Sequence, residues 1–111
     1  MASDMNSDLQ VKLIMNYDVK DELDQEYFEF IVREFVPTTT RMGLQTIGVW
    51  YTSYSKDESA PKIRLEALAD SLEKMREILN GEEWTSLHEK LMSYVENYNR
   101  KVVRFSSGYQ M

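Results

Sequence analysis

The sequence predicts an α+β domain in which two helices cover one face of a four-stranded antiparallel sheet. Three observations support this fold class: an apolar alternation near the N-terminus, two regions with apolar residues at helical spacing, and β-rich segments between and after them. The elements follow in the order strand, helix, strand, strand, helix, strand. This βαββαβ order places both helices on one side of the sheet and leaves the other side uncovered.

The first strand is predicted from a two-residue repeat. Successive side chains of a strand point to opposite faces, so a repeat of two gives the strand two different sides. The odd positions are Leu9, Val11, Leu13, Met15 and Tyr17, and the even positions are Gln10, Lys12, Ile14 and Asn16. The strand therefore has one apolar face and one mixed face. We interpret residues 1–8 as a flexible, polar tail and residues 9–111 as a single domain.

The first helix is predicted to begin after Asp21. Its apolar stripe consists of Leu23, Tyr27, Phe28, Phe30, Ile31, Val32 and Phe35. Pro37 lacks a backbone donor and clashes with the preceding turn, so we expect a kink there. The helix then ends near Met42, because Gly43 suits a left-handed C-terminal cap.

The second and third strands follow the first helix. Residues 44–54 are rich in Thr, Ile, Val, Trp and Tyr, which favour a pleated surface. Residues 56–60 form a polar loop. The third strand, residues 63–69, again alternates, with Ile63, Leu65, Ala67 and Ala69 on its apolar face.

The C-terminal third is predicted as helix, helix and strand. Asp70 stands three residues before Glu73, which is capping-box spacing, and Asn80 with Gly81 ends that helix. A further helix begins near Glu82, and the last strand covers residues 102–106. The stripe assigned to this last helix consists of Trp84, Leu87, Leu91, Tyr94, Val95 and Tyr98.

Composition excludes several function classes. The chain has 111 residues, with 13 Lys and Arg against 19 Asp and Glu, and its net charge of −6 repels nucleic acids and anionic membranes. It has no cysteine, which excludes disulfides and thiolate chemistry and favours the cytoplasm. Residues 1–8 contain no apolar segment typical of a signal peptide or anchor. We expect no metal site and no cofactor, because no two histidines, and no histidine with a carboxylate, stand at ligand spacing.

Three segments carry a resemblance to a known family. The chain resembles the NIPSNAP-like members of the dimeric α/β-barrel superfamily at three places. These are the run 47–50 after a kinked helix, the segment 81–87 and the C-terminal segment 102–105. The resemblance spans nearly the whole chain and implies a ferredoxin-like protomer. It also implies a homodimer in which the two uncovered sheet faces meet as a barrel, with a ligand pocket inside it or between sheet and helices.

Two other families share this element order, and the sequence disfavours both. RNA-recognition domains need aromatic residues on the first and third strands in a basic setting, whereas residues 63–69 contain no aromatic residue and the chain is acidic. Acylphosphatases need a glycine-rich phosphate loop after the first strand. Residues 17–21 contain no glycine and carry two carboxylates.

Six residues are candidates for a site. His88, the only histidine, suits a general base or a haem ligand, although a boundary histidine on an amphipathic helix is the commoner role. Asn16 can orient a polar ligand atom or an oxyanion, or close a turn at the strand end. The resemblance adds that some haem-degrading relatives combine a helical His with an Asn and a Trp, for which the chain offers His88, Asn16 and Trp50.

The remaining candidates suggest binding. Arg64 and Glu66 stand two apart on one strand face, where they can bind a carboxylate ligand, supply a general base, or pair at a dimer interface. Trp50 and Tyr54 suit the walls of a half-wet pocket. Our leading hypothesis is a homodimer that binds a small, partly apolar organic molecule. The alternatives are a cofactor-independent monooxygenase or isomerase that uses Asn16 or His88, and a purely structural dimeric module.

Overall fold

A computed structural model describes residues 10–52 and 62–105. Its elements are β1 (Gln10–Val19), α1 (Asp24–Phe30), a π-helical turn (Ile31–Phe35), α2 (Val36–Met42), β2 (Gln45–Tyr51), β3 (Ile63–Ala69), α3 (Leu72–Leu79), α4 (Glu82–Met92) and β4 (Val95–Phe105). The strands form one antiparallel sheet in the order β2-β3-β1-β4. The predicted α+β class and βαββαβ order are confirmed. The predicted tail 1–8, the loop 56–60 and Tyr54 lie outside the described residues.

The sheet buries the face that the two-residue repeat identified. β1 pairs with β3 and with β4, so Leu13 lies opposite Ala67 on one side and Val102 on the other. The apolar faces of β1 and β3 are buried and pack with residues of every helical segment. The core is therefore on one side of the sheet, and its helical residues include Phe30, Phe35, Met75, Ile78, Trp84, Leu87 and Leu91.

The first helical layer continues past Pro37, as predicted. The π-helical turn lies directly before it, where the N–H of Val36 donates to the carbonyl of Ile31. Pro37 thus falls in the first turn of α2, a position that tolerates a missing donor. The layer ends at Met42, and Gly43 adopts the left-handed conformation with φ of 100°. The predicted extension and its glycine cap are confirmed.

The predicted cap of α3 is wrong by one residue. Ser71, not Asp70, is the N-cap, and its hydroxyl accepts the N–H of Lys74 at 3.0 Å. The capping-box argument paired Asp70 with Glu73, but a hydroxyl one residue later has the same reach to the first turn. Local spacing alone did not distinguish the two adjacent oxygen-bearing side chains.

The predicted start of the last strand is also wrong. α4 ends at Met92 and β4 begins at Val95, so Val95 and Tyr98 belong to the strand rather than to the helix. The cause is a strand irregularity near Asn97, whose φ is 56°, opposite the register shift between Asn16 and Asp18 of β1. An irregularity of this kind brings residues three apart to one face. Val95 and Tyr98 therefore imitate helical spacing.

Replacing Ser71 tests whether it, rather than Asp70, caps α3. We expect Ser71→Ala to lower the free energy of unfolding by about 1 kcal/mol, because the N–H of Lys74 loses its acceptor. Urea denaturation measures the change. Asp70→Ala is the matched control and should cost clearly less; an equal or larger loss in that variant would restore Asp70 as the cap.

Candidate functional site

The sheet side away from the helices is where most candidate residues meet. Cross-strand register places side chains of all four strands on this side, because directly opposed residues share a face. We call it the open face. Its residues include Lys12, Ile14, Asn16, Gln45, Gly48, Trp50, Arg64, Glu66, Leu68, Asn99, Lys101 and Val103.

Lys12, Glu66 and Arg64 form a group of paired charges on the open face, which we call the charge array. Glu66 is only 8% exposed, and its two carboxylate oxygens accept from different cations. Lys12 Nζ donates to Oε1 at 2.9 Å, and Arg64 Nε donates to Oε2 at 2.7 Å. Burial acts to raise the pKa of Glu66, but the two hydrogen bonds and charges outweigh it and lower that pKa. Glu66 is therefore an ionised carboxylate between two cations.

Trp50 lies beside the charge array. It is opposite Arg64 in the register, and its indole lies against the backbone of Gly48. A Cβ at Gly48 would be 2.3 Å from the ring, so a glycine is needed for this packing. Trp50 is still 51% exposed. The open face thus presents an aromatic surface next to a guanidinium.

Asn16 completes this group at the end of the face. It lies opposite Arg64 on one neighbouring strand and Asn99 on the other, and it is half-buried. Its amide is therefore on the same face as the charge array. An amide there can donate to or accept from a polar ligand atom.

His88 lies on the other side of the sheet, on α4. Its ring contacts Trp84 at a centroid distance of 5.7 Å and Tyr98 at 5.0 Å. Tyr98 in turn stacks on Tyr17, whose side chain is in the core. Within residues 10–52 and 62–105, His88 Nε2 is buried without a hydrogen-bond partner. Desolvation and the charge of Arg100 lower the pKa of His88, against a smaller opposite effect of Glu89.

The structure therefore divides the predicted site. Asn16, Trp50, Arg64 and Glu66 share the open face, whereas His88 lies behind the sheet and Tyr54 is not among the described residues. The two residues proposed for catalysis, Asn16 and His88, do not converge. The trio of Asn16, Trp50 and His88 suggested by haem-degrading relatives does not converge either.

Sequence reasoning missed three participants. The alternation placed Lys12 on the correct face, but its bond to Glu66 depends on the β1–β3 register. Gly48 was overlooked, although a glycine two residues from a tryptophan within a strand signals a close packing contact. Tyr98 was assigned to a helix, so its contact with His88 was not foreseen.

Two further kinds of site were sought within residues 10–52 and 62–105. No group of three or more histidine, aspartate or glutamate side chains there is arranged to hold a metal ion. In the same ranges no helix combines the length and the apolar character needed to cross a bilayer.

Solved structures share this fold at low sequence identity. A NIPSNAP family protein from Agrobacterium tumefaciens has a TM-score of 0.63 at 14% identity, covering 89% of this chain and 87% of that one. A hydroxynitrile lyase from Passiflora edulis has a TM-score of 0.71 at 10% identity, covering 93% and 99%. A dimeric protein of unknown function and ferredoxin-like fold from Bacteroides fragilis has a TM-score of 0.57 at 16% identity, covering 86% and 96%.

These similarities establish the fold alone. The predicted NIPSNAP-like, ferredoxin-like fold is confirmed. No protein-family model matches the sequence, and no curated protein matches it. The neighbours differ in what their names state, from a lyase to proteins of unknown function, so the function has to be argued from this chain's own residues.

The partial burial of His88 predicts that stability depends on pH. Its folded-state pKa is below the ordinary value of 6.5, so the unfolded chain binds the proton more tightly. Above pH 6.5 the neutral imidazole therefore makes its full contribution to stability. That contribution is lost as the pH falls from 6.5 toward the folded-state pKa. Between about pH 7.5 and 5.5, where carboxylates change little, we expect the free energy of unfolding to decrease, and to decrease less in His88→Gln.

Chemical denaturation at several pH values measures this effect. NMR titration of the single imidazole provides the control, because the folded protein should show a pKa below 6.5. An imidazole that titrates at or above that value, or an equal slope in His88→Gln, would contradict the assignment.

Proposed function

We propose that this protein forms a homodimer through the open face and binds a small, partly apolar organic anion between the two sheets. The charge array beside Trp50 carries the proposal. It puts two cations, one carboxylate and an exposed indole within one small area of the open face. That combination matches a ligand with a flat apolar part and an acidic group.

The composition of the open face supports a second copy as its cover. Tryptophan and arginine are enriched at the centres of protein interfaces, and Trp50 and Arg64 lie opposite each other here. Ile14 and Glu66, also opposed, are already nearly buried within one subunit. The fold neighbour from Bacteroides fragilis is described as dimeric. A second open face would remove Trp50 and its apolar neighbours from water.

The charges favour an anionic ligand. Glu66 accepts from both Lys12 and Arg64, and the side chain of Arg64 is still 50% exposed, so its guanidinium is accessible to an anion. Within residues 10–52 and 62–105, Arg64 bonds Glu66 through Nε alone, which leaves its two terminal nitrogens for a carboxylate. The indole of Trp50 offers the adjacent flat surface, and the amide of Asn16 offers a further polar contact.

The enzymatic alternative has less support from the geometry. That alternative uses Asn16 or His88 for proton removal. Asn16 lies on the open face, but its neutral amide is not a proton acceptor, and His88 lies behind the sheet, away from the charge array. A purely structural dimer would also use Trp50 and Arg64 as interface contacts. The terminal nitrogens of Arg64, which form no bond within residues 10–52 and 62–105, favour a ligand over that alternative. Binding therefore remains the preferred function.

We also propose the cytoplasm as the location. A chain without cysteine needs no oxidising compartment. The net charge of −6 gives no general attraction to nucleic acids or anionic membranes, so the proposed partners are a second copy and a small ligand.

Sedimentation velocity tests the dimer. We expect the wild-type protein at micromolar concentration to have a sedimentation-derived mass of twice the subunit mass of 13.1 kDa. Trp50→Lys should weaken the dimer about tenfold or more, because it adds a cation beside Arg64 and removes the indole. Val32→Lys, on the helical side where Val32 is 52% exposed, is the matched control and should leave the dimer intact. A stable single subunit in the wild-type protein would refute the proposal.

Thermal unfolding with benzoate and benzamide tests the ligand. The two probes have the same shape and differ in charge, so only benzoate should stabilise the protein saturably. At ten times its Kd, a ligand specific for the folded state adds about 1.4 kcal/mol. We expect Arg64→Gln to abolish this effect. Arg41→Gln, which removes an ion pair with Glu83 on the helical side, is the control.

The outcomes separate binding from its alternatives. Equal stabilisation by benzamide, or an unchanged benzoate effect in Arg64→Gln, would contradict the anion site. His88→Ala should keep the benzoate effect, because His88 lies behind the sheet; loss of the effect in that variant would instead return His88 to the site.

A further inference from the structure

A second concave site lies on the helical side, where α1 meets the ends of β2 and β3. It holds a cavity of about 300 Å³ lined by Val19, Asp24, Tyr27, Phe28, Tyr51 and Ile63. Phe28 is 64% exposed and Tyr51 is 68% exposed, which is unusual for aromatic side chains. Three of the six lining residues are therefore aromatic: Tyr27 and Phe28 are on α1, and Tyr51 is on β2.

A second cavity of about 170 Å³ adjoins the first. The two share Val19, Asp24, Tyr51 and Ile63. The second adds Asp18, Asp21, Glu96 and Lys62. We call the two together the aromatic-acidic groove. One part of it is aromatic, and the other has four carboxylates against one ammonium group.

The polar groups of the groove are arranged so that its negative charge persists. Asp18 accepts from the backbone N–H of Lys62 and from the side-chain amide of Asn97, each at 2.9 Å, and neither donor is a cation. Within the ranges 10–52 and 62–105, Asp21, Asp24 and Glu96 form no ion pair. The carboxylates are thus not neutralised by neighbours other than Lys62.

The aromatic part has one carboxylate, that of Asp24, and its other lining side chains are uncharged. The hydroxyl of Tyr27 shares a hydrogen bond of 2.7 Å with that of Tyr17 in the core. Burial raises the pKa of Tyr27 to about 12, more than the bond with Tyr17 lowers it, so the phenol is uncharged. Its ring forms the inner wall, and Phe28 and Tyr51 form more exposed walls.

We infer that the aromatic-acidic groove binds a small organic ammonium ion. Aromatic faces attract cations through their quadrupole, and nearby carboxylates add to the attraction. A neutral ligand gains nothing from the carboxylates, and an anion is repelled. The aromatic part of the groove lies on the helical side of the sheet. Its acidic part lies at the end of the sheet, where Asp18 follows Asn16 along the open face of β1 and is opposite Glu96. The volume is enough for a few heavy atoms around a charged nitrogen.

Titration calorimetry with choline and 3,3-dimethyl-1-butanol tests this inference. The two molecules have the same shape, but only choline carries a charge. We expect choline to bind saturably and at least about tenfold more tightly than the alcohol, and we expect added salt to weaken choline binding. Equal affinity for both, or no choline binding by the wild-type protein, would overturn the inference.

Matched variants locate the site. Asp24→Asn and Tyr51→Ala should each weaken choline binding about fivefold or more, because Asp24 and Tyr51 line both cavities. Asp70→Asn, at the opposite end of β3, removes the same charge and should leave choline binding unchanged. An equal loss in Asp70→Asn would assign the effect to net charge and overturn the site.

One further variant tests whether the chain's own Lys56 occupies the groove in place of a ligand. Residues 53–61 join β2 to β3 in the sequence, and they include Lys56. Choline binding that is absent in the wild-type protein and present in Lys56→Gln would assign the groove to the chain's own lysine and overturn the inference. Arg64→Gln should leave choline binding unchanged, which distinguishes this site from the proposed anion site.

Discussion

The antiparallel pairing of β1 with both β3 and β4 is the constraint on which the rest of the structure depends. It aligns three strands so that one face carries Leu13, Leu65 and their neighbours into the core, and the opposite face carries Lys12 and Glu66. A slip of one residue would exchange these faces and bury the charges beneath the helices. Burying a row of unpaired charges costs far more than any compensating contact provides, so the register is strongly specified.

Two local irregularities shape the functional surfaces. At β2, the register shifts between Thr46 and Gly48, and Gly48 then accommodates the indole of Trp50 beside Arg64. At β4, the irregularity near Asn97 turns Tyr98 toward His88 and Tyr17. Strand irregularities commonly re-aim side chains near functional sites. In this protein they determine which aromatic residues reach the open face and which reach the core.

The chain presents two surfaces of opposite charge, one across the open face and one at the end of the sheet beside α1. The open face places Lys12 and Arg64 beside Glu66, whereas the aromatic-acidic groove places Asp18, Asp21, Asp24 and Glu96 beside Lys62. The net charge of −6 describes neither surface. Ligand recognition depends on the local arrangement of charges, because salt screens charges beyond roughly 10 Å. A protein of this size can therefore offer an anion site and a cation site at once.

The sequence by itself determined the element order, the buried face of β1 and β3, and the helix end at Gly43. These features depend on patterns within one element, such as alternation of two or a glycine after a helical stripe. It also placed Asn16, Arg64 and Glu66 on the open face. Only the tertiary structure decided that Lys12 bonds Glu66, that Trp50 packs on Gly48, and that His88 lies behind the sheet with Tyr98. The physical reason is that Lys12 and Glu66 are 54 positions apart, while the other two contacts depend on a strand irregularity, so strand register and helix packing decide them rather than local spacing.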